Sequence, residues 1–173
     1  MSQKIVQEDI ATIAENLKND ARKFEGKTVL VSGGGGFLGK YIIGALCHLN
    51  DAVFERPCRI ISVDNYITGQ HHPHFNYRNH PHVLEVWADV SHPLPVREDI
   101  HFIMHAAGLA SPVYYKKYPL ETIECTVAGI KNLLELGRKN KNLEGFLFFS
   151  SSEIYGDPNP AAVPTPETYH GYV

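Results

Sequence analysis

The sequence predicts an α/β protein built on a doubly wound parallel sheet with flanking helices. Short runs of branched apolar residues alternate with segments of helical periodicity, a succession typical of parallel βαβ units. These runs lack the polar alternation of a half-exposed strand, which indicates strands covered on both faces. A third observation is a run of four glycines between the first predicted strand and the helix that follows it.

Each element is predicted by its local pattern. Residues 5–24 carry apolar side chains at three- and four-residue spacing, which predicts an amphipathic packing helix that ends near Gly26. Residues 65–82 lack periodicity and residues 157–168 contain four prolines, so we expect loops in both places. The remaining predictions are strands at 28–32, 59–64, 83–87, 102–106 and 145–149, and helices at 37–49 and 120–139.

Composition excludes several classes of protein. The 173 residues carry 16 Lys and Arg against 19 Asp and Glu, and this net charge of −3 argues against nucleic-acid or anionic-membrane binding. No apolar run approaches the roughly 18 residues of a membrane span, and the charged first residues do not fit a signal peptide. Three scattered cysteines predict neither a disulfide framework nor a metal site. We therefore expect a cytoplasmic protein.

The glycine run is the strongest functional signal in the sequence. It reads as GxxGxxG from Gly33 or as GxGxxG from Gly34, and both patterns end at Gly39. Between a strand and a helix, such glycines allow a tight turn, let the main chain approach a pyrophosphate and direct the helix amino end at the phosphates. A flexible turn is the alternative, but the strand–turn–helix context favours a dinucleotide-binding, Rossmann-like domain.

Two carboxylates at predicted strand ends suit the same ligand. Asp64 ends the second strand, where a carboxylate can accept both hydroxyls of an adenosine ribose. Its charge would repel a 2′-phosphate, which favours NAD over NADP, although Asp64 and Asn65 could instead form a turn. Asp89 follows the third strand and could face the adenine or cap a turn.

These residues resemble a known family. From about Lys27 to the last residue, the chain is similar to the amino-terminal part of the extended short-chain dehydrogenase/reductases, the NAD-dependent sugar-nucleotide epimerases and dehydratases. Within that superfamily it most resembles the UDP-glucuronate decarboxylases. The segments that carry the resemblance are 63–69 (VDNYITG), 88–90 (ADV), 105–112 (HAAGLASP) and 150–158 (SSSEIYGDP).

The resemblance implies a role for each matching position. Residues 27–173 would form an NAD-binding Rossmann domain after a helical segment at 1–26. Gly33, Gly36, Phe37 and Leu38 would contact the pyrophosphate, and Asp64 and Asn65 the ribose. Asp89 and Val90 would contact the adenine. Ala106, Ala107 and Gly108 would form the floor of the NAD site. The implied catalytic residues are Ser151 and Glu153, and the implied sugar contacts are Ser111, Pro112 and Tyr115.

The implied activity is that of a lyase: an NAD-dependent homodimer that decarboxylates UDP-glucuronate to UDP-xylose through a 4-keto sugar. Ser151 would hydrogen-bond the sugar oxygen that is oxidised, although serines at 150–152 could equally cap a helix or turn. The alternatives are a dTDP-glucose 4,6-dehydratase, for which Asp would be expected in place of Ser152, and a UDP-sugar 4-epimerase. From a different class, a non-catalytic NAD-binding module is a further alternative.

The chain also departs from the family. Thr126 stands where Asn is common, and His and Pro residues at 70–74 replace basic residues. That His-rich loop has no cysteine, so we expect no metal site there. His105 ends an apolar strand and is expected to be a satisfied core residue. No Tyr has Lys four residues later, so we expect an amino-terminal portion of a longer protein that is inactive by itself.

Overall fold

A five-stranded parallel sheet forms the centre of the computed structural model, which describes residues 3–68, 75, 77 and 79–171. The strand order is β3-β2-β1-β4-β5, so the chain changes direction across the sheet between β1 and β4. Open α/β sheets bind their ligands at such a switch point. The strands are β1 (Thr28–Ser32), β2 (Arg59–Asp64), β3 (Val83–Trp87), β4 (Phe102–His105) and β5 (Gly145–Phe148). This arrangement confirms the predicted doubly wound α/β fold.

Helices flank the sheet and differ from the predictions in three places. The predicted helix at 120–139 is divided by a π-helical turn, and the predicted helix at 5–24 tightens to a 3-10 helix after Leu17. A short helix at 112–117 was not predicted. The helices are α1 (Gln3–Leu17), α2 (Phe37–Ala52), α3 (Pro112–Lys117), α4 (Pro119–Glu124), the π turn (Cys125–Gly129) and α5 (Ile130–Lys139), with 3-10 helices at Lys18–Phe24, Ser152–Tyr155 and Pro160–Ala162.

The last of these 3-10 helices corrects one prediction. Residues 157–168 were expected to contain only loop because of their prolines. Pro160 occupies the first position of the 3-10 helix, where its missing N–H has no helical partner to lose. A proline excludes the helix interior but not its first turn.

Alternating side chains divide the core into two apolar layers. Val29, Val31 and Ile60 point to the face covered by α1 and α2. Leu30 and Ile61 point to the opposite face, where Leu133 of α5 covers them. Both faces of the central strands are therefore buried, which is why their sequences are continuously apolar.

α1 packs on α2 through its apolar stripe. Val6, Ile10 and Ala14 are buried, and a Cβ built on Gly44 of α2 would lie only 2.7 Å from Ile10 Cδ1. The two helix backbones therefore approach closely at this glycine. Among the described residues, no helix combines the length and the apolar character needed to cross a membrane.

Candidate nucleotide site

A cleft opens at the carboxyl edge of the sheet, at the switch point between β1 and β4. Open α/β sheets bind their ligands at this position. Nine of the eleven predicted cofactor contacts line the cleft: Gly33, Gly36, Asp64, Asn65, Asp89, Val90, Ala106, Ala107 and Gly108.

The glycine loop forms one wall of the cleft as a tight turn. Gly33 adopts φ +74°, a conformation that favours glycine, and its N–H donates to the carbonyl oxygen of Val63 at 2.8 Å. Gly36 N–H donates back to the Gly33 carbonyl oxygen at 3.0 Å. A Cβ on Gly39 would overlap that same carbonyl oxygen, so α2 can begin this close to β1 only with glycine at 39.

Phe37 and Leu38 are the two predicted cofactor contacts that do not line the cleft. Both begin α2 and point largely exposed side chains away from the core; Phe37 stacks edge-on against Tyr41. Their main-chain N–H groups lie in the first helical turn, where an α-helix has no carbonyl partners of its own. Their role toward an anion is therefore restricted to the main chain.

Asp64 lines the cleft and also holds the adjoining turns. Its Oδ2 accepts the N–H of Gly35 at 2.8 Å, and its Oδ1 accepts the N–H of Tyr66 at 2.7 Å. Tyr66 adopts φ +55°, which is uncommon for a residue with a side chain. A carboxylate offers about four acceptor positions, so two remain for a ligand. The turn role and the ligand role proposed from the sequence are thus compatible.

Asp89 is held in the cleft by a similar set of hydrogen bonds. Its Oδ2 accepts from Asn65 Nδ2 and its Oδ1 from the N–H of Ser91, both at 2.8 Å. Burial pushes the pKa of Asp89 upward, but the hydrogen bonds from Ser91 and Asn65 outweigh it and hold the pKa below its ordinary value of 3.8. Asp89 is therefore an ionised acceptor at neutral pH.

Several lining residues were not predicted from the sequence. Glu121 of α4 and Cys125 of the π turn reach the cleft by tertiary packing, for which the sequence gives no local signal. Burial raises the pKa of Cys125 to about 11, and the negative charges of Asp89 and Asp64 make smaller contributions in the same direction. The thiol therefore stays protonated at neutral pH. Ile67 and Thr68 lie within the segment 63–69 that carries the family resemblance, which could have identified them.

The five predicted catalytic and sugar-binding residues lie outside the cleft lining. Ser151 Oγ accepts the N–H of Glu153 at 3.2 Å and caps a 3-10 helix, which is the capping alternative considered from the sequence. Ser151 nevertheless follows β5 at the carboxyl edge of the sheet, the edge where the cleft opens. Ser111 and Pro112 begin α3, and both are at least partly exposed, as are Tyr115, Ser151 and Glu153.

Thr126, which departs from the family, and His105, at the end of β4, both have defined hydrogen bonds. Thr126 Oγ1 donates to the carbonyl oxygen of Thr122 at 2.8 Å, within its own helix. His105 is 1% exposed and its Nδ1 shares a 2.7 Å hydrogen bond with Ser32 Oγ, whereas Nε2 has no partner among the described residues. The expectation of a fully satisfied His105 is therefore wrong for one of its two nitrogens.

The His-rich loop is only partly described. His71, His72 and His74 lie outside the described residues, while His80 Nε2 lies 3.2 Å from Asp51 Oδ1. In the described part of the chain, no three His, Cys, Asp or Glu side chains are grouped so that they could hold a metal ion.

Comparison with known proteins identifies relatives of most of the chain. The family model described as "NAD dependent epimerase/dehydratase family" matches residues 29–171. UDP-glucuronic acid decarboxylase 4 of Arabidopsis thaliana is 38% identical over 145 residues, 84% of this chain and 30% of the relative. UDP-glucuronic acid decarboxylase 1 of Xenopus tropicalis is 30% identical over 184 residues, 99% of this chain and 41% of the relative. The chain thus spans less than half the length of these relatives.

Solved structures share the fold. A UDP-N-acetylglucosamine 4-epimerase from Methanobrevibacter ruminantium M1, in complex with UDP-N-acetylmuramic acid, superposes with a TM-score of 0.65 at 26% identity, covering 85% of this chain and 44% of that chain. The Bordetella bronchiseptica enzyme WbmF in complex with NAD+ superposes with a TM-score of 0.62 at 18% identity, covering 86% of this chain and 42% of that chain. With the match at 29–171, these findings place the chain in the NAD-dependent epimerase/dehydratase family, whose cofactor is NAD.

Proposed function

We propose that this chain is the cofactor-binding part of a cytoplasmic UDP-glucuronate decarboxylase that forms UDP-xylose. The observation that carries the proposal is the likeness to UDP-glucuronic acid decarboxylases over 84% or more of the chain. The sequence segments at 110–112 (ASP) and 152–158 (SEIYGDP), which are more characteristic of the decarboxylases than of other members of the superfamily, support the same assignment.

The cleft residues fit NAD. The turn at Gly33 and Gly36 brings bare main chain and the amino end of α2 to one wall, as a pyrophosphate requires. Gly108 has open space around its Cα, so the floor is not filled by side chains there. Asp64 supplies carboxylate oxygens for the ribose hydroxyls. When bound, NAD+ supplies the hydride acceptor for oxidation of the sugar.

Ser151 and Glu153 are proposed to act on the sugar. Ser151 Oγ accepts one main-chain N–H, which leaves its own proton free to donate to the sugar O4 and a second lone pair free to accept. It can therefore hold that oxygen both as a hydroxyl and as a ketone. The O4 proton passes to a base of the intact protein, which the family resemblance implies is a Tyr. The resulting ketone is β to the carboxylate, so C6 leaves as carbon dioxide and the C5–C6 electron pair is stabilised as an enolate. Protonation at C5 and return of the hydride to C4 then give UDP-xylose. Glu153 has an exposed carboxylate, which we propose orders water or the sugar.

Product analysis tests the proposed substrate. UDP-glucuronate, UDP-glucose and dTDP-glucose are supplied separately to the intact natural protein with NAD+. We expect carbon dioxide and UDP-xylose from UDP-glucuronate and no product from the other two sugars. A 4,6-dehydrated product from dTDP-glucose, or UDP-galactose formed from UDP-glucose, would instead assign the protein to the dehydratases or the epimerases.

A non-catalytic NAD-binding module is the second candidate. It is favoured by the exposure of Ser151 and Glu153. The absence of a Tyr with Lys four residues later favours it only if the natural protein ends at residue 173. We expect the 173-residue chain to bind NAD+ without releasing carbon dioxide from UDP-glucuronate. Turnover by a verified 173-residue product would contradict this expectation. If the intact natural protein also binds NAD+ without turnover, the module is the better assignment.

We further propose that the protein is a homodimer. Leu120, Ile123, Val127 and Leu134 place exposed apolar side chains along α4, the π turn and α5. Such a contiguous apolar stripe on a helix surface is typical of an interface. The resemblance to a family that dimerises through helices favours a second copy of the chain as the partner.

A further inference from the structure

Ser32 and His105 share a buried hydrogen bond at the point where two strands end. Ser32 is the last residue of β1 and His105 the last residue of β4, and the two are register partners in the parallel sheet. Ser32 Oγ and His105 Nδ1 lie 2.7 Å apart. Gly33 follows Ser32 and Ala106 follows His105, and both Gly33 and Ala106 line the nucleotide cleft. The side-chain bond therefore joins the two walls at their base.

At the base of the cleft, the main chains of the two walls pack directly against each other. The N–H of Ala106 donates to the carbonyl oxygen of Ser32 at 3.0 Å. A Cβ built on Gly33 would lie 2.6 Å from both the carbonyl oxygen of Ala106 and the nitrogen of Ala107. Any shift of Ser32 relative to His105 must therefore move the glycine loop against the cleft floor.

His105 also contacts the elements on its other sides. Its ring lies 5.5 Å from the ring of Phe148 in β5, the strand that leads to Ser151. A Cβ on Gly129 would lie 3.9 Å from His105 Cε1, so the π turn passes close to the imidazole. One side chain thus links the glycine loop, the cleft floor, the strand before Ser151 and the π turn.

Packing alone does not explain an imidazole at this position. Nε2 is buried without a partner among the described residues, and burying an unpaired polar atom costs free energy that an apolar ring would avoid. Burial lowers the pKa of His105 below 6.5, so the ring is neutral at pH 7. A neutral imidazole has one donor and one acceptor nitrogen, and the Ser32 hydroxyl can bond to Nδ1 in either state, so the bond restrains the orientation of the ring.

We infer that Ser32 and His105 are positioning residues that hold the glycine loop and the cleft floor at the separation NAD requires. This inference rests on NAD binding by this chain, as proposed above. Neither side chain contacts the cofactor in this inference; each acts through the main chain that follows it. Losing the hydrogen bond should weaken NAD+ binding more than it weakens folding.

Two serine variants test the inference, with NAD+ affinity measured by titration calorimetry on the 173-residue chain. Ser32→Ala removes the hydrogen bond to His105, whereas Ser62→Ala removes an equally buried hydroxyl of β2 that has no partner among the described residues. We expect Ser32→Ala to raise the NAD+ dissociation constant about tenfold and Ser62→Ala to change it less than about twofold. Equal affinities for the two variants would overturn the inference.

Two His105 variants separate hydrogen bonding from packing. His105→Asn can place an amide atom near the former Nδ1 and thus rescue the bond to Ser32, whereas His105→Phe keeps a ring without it. We expect His105→Asn to bind NAD+ within about threefold of the wild type and His105→Phe about tenfold more weakly. If His105→Asn instead bound NAD+ more weakly than His105→Phe, the role of His105 would be packing and the inference would be overturned.

Thermal unfolding without NAD+ identifies a temperature at which every variant is folded, and the titrations are made there. Should either His105 variant fail to fold, the serine pair decides the outcome. A wild-type chain that binds no NAD+ would contradict the proposed function itself. Wild-type binding together with unaltered binding by Ser32→Ala would contradict only the positioning role.

Discussion

Asp64 holds two turns by hydrogen bonds and is proposed to bind the ribose of NAD. Its two oxygens accept the N–H groups of Gly35 and Tyr66, which belong to the turns that follow β1 and β2. We expect Asp64→Ala to weaken NAD+ binding by about 1–3 kcal/mol, because it removes hydrogen bonds to the ribose and loosens both turns. Titration calorimetry measures the change, with the exposed Asp20→Ala as the control. Unaltered affinity in Asp64→Ala would contradict the assignment of β2 to the ribose.

Gly39 is required by the close approach of α2 to β1. A Cβ at this position would overlap the Gly33 carbonyl oxygen, which is main chain and cannot rotate away. We expect Gly39→Ala to lower the free energy of unfolding by about 1–3 kcal/mol or more, as overpacking does. Gly108→Ala is the matched control, because its Cβ would meet no atom within 4 Å. Urea denaturation without cofactor measures the free energy of unfolding of both variants. Equal stability of Gly39→Ala and Gly108→Ala would contradict the expectation.

The residues that the sequence predicted most directly are those whose role depends on local chain geometry. Gly33, Gly36 and Asp64 occupy a strand–turn–helix unit that spans about 30 residues, and the motif itself implies their proximity. Cys125 could not be predicted in the same way. Its approach to the cleft depends on how a distant helix packs, and local periodicity carries no information about that distance.

At the scale of elements, apolar periodicity predicted the strands better than the helix boundaries. The strands at 28–32 and 59–64 occur as predicted, because they are largely buried and mostly apolar. The strand at 83–87 also occurs as predicted, although it lies at the edge of the sheet, contains Glu85 and is only partly buried. The π turn at 125–129 was missed, since a single wide turn scarcely alters the helical apolar pattern. Thr126 bonds the carbonyl oxygen of Thr122 within this stretch, which is the main-chain contact expected of a threonine there.

The docking of α1 on α2 can be tested independently of the cleft. Ile10 is 4% exposed and contacts the face of α2 at Gly44, whereas Ile13 of the same helix is 38% exposed. We expect Ile10→Ala to cost about 2–5 kcal/mol of stability and Ile13→Ala less than about 1 kcal/mol. Chemical denaturation measures both. Because no α1 residue lines the cleft, NAD+ affinity should be the same in the two variants, and a change confined to Ile10→Ala would show coupling between helix and cofactor.

The stability of the whole molecule should fall in alkaline solution because of its buried thiols. Burial raises the pKa of Cys47 to about 12 and that of Cys58 to about 11, from an ordinary value of 9.0. Above pH 9 the folded state therefore retains protons that the unfolded state releases, so the free energy of unfolding decreases as the pH rises toward 11. Each thiol contributes up to about 1.4 kcal/mol per pH unit to this decrease.

A double variant isolates this contribution. Cys47→Ala together with Cys58→Ala removes both thiols, and the difference in stability from the wild type should be constant at pH 7–8 and shrink above pH 9. Urea denaturation under reducing conditions at each pH measures it. Groups that titrate in both proteins cancel in the difference. Two stability curves that remain parallel to pH 11 would mean that the thiols ionise as readily in the folded state as in the unfolded state.

The proposed homodimer would form through the apolar stripe along α4, the π turn and α5. Val127 lies within the stripe and is 64% exposed, and Val163 is 61% exposed but lies outside it, near the carboxyl end. If two copies pair through the stripe, a buried carboxylate at 127 would cost several kcal/mol, since an unpaired charge loses its hydration there. We expect Val127→Glu to be monomeric and Val163→Glu to dimerise like the wild type. Sedimentation equilibrium across a concentration series distinguishes these outcomes. A wild type that stays monomeric at the highest concentration, or a dimeric Val127→Glu variant, would place the interface elsewhere or exclude it for this chain.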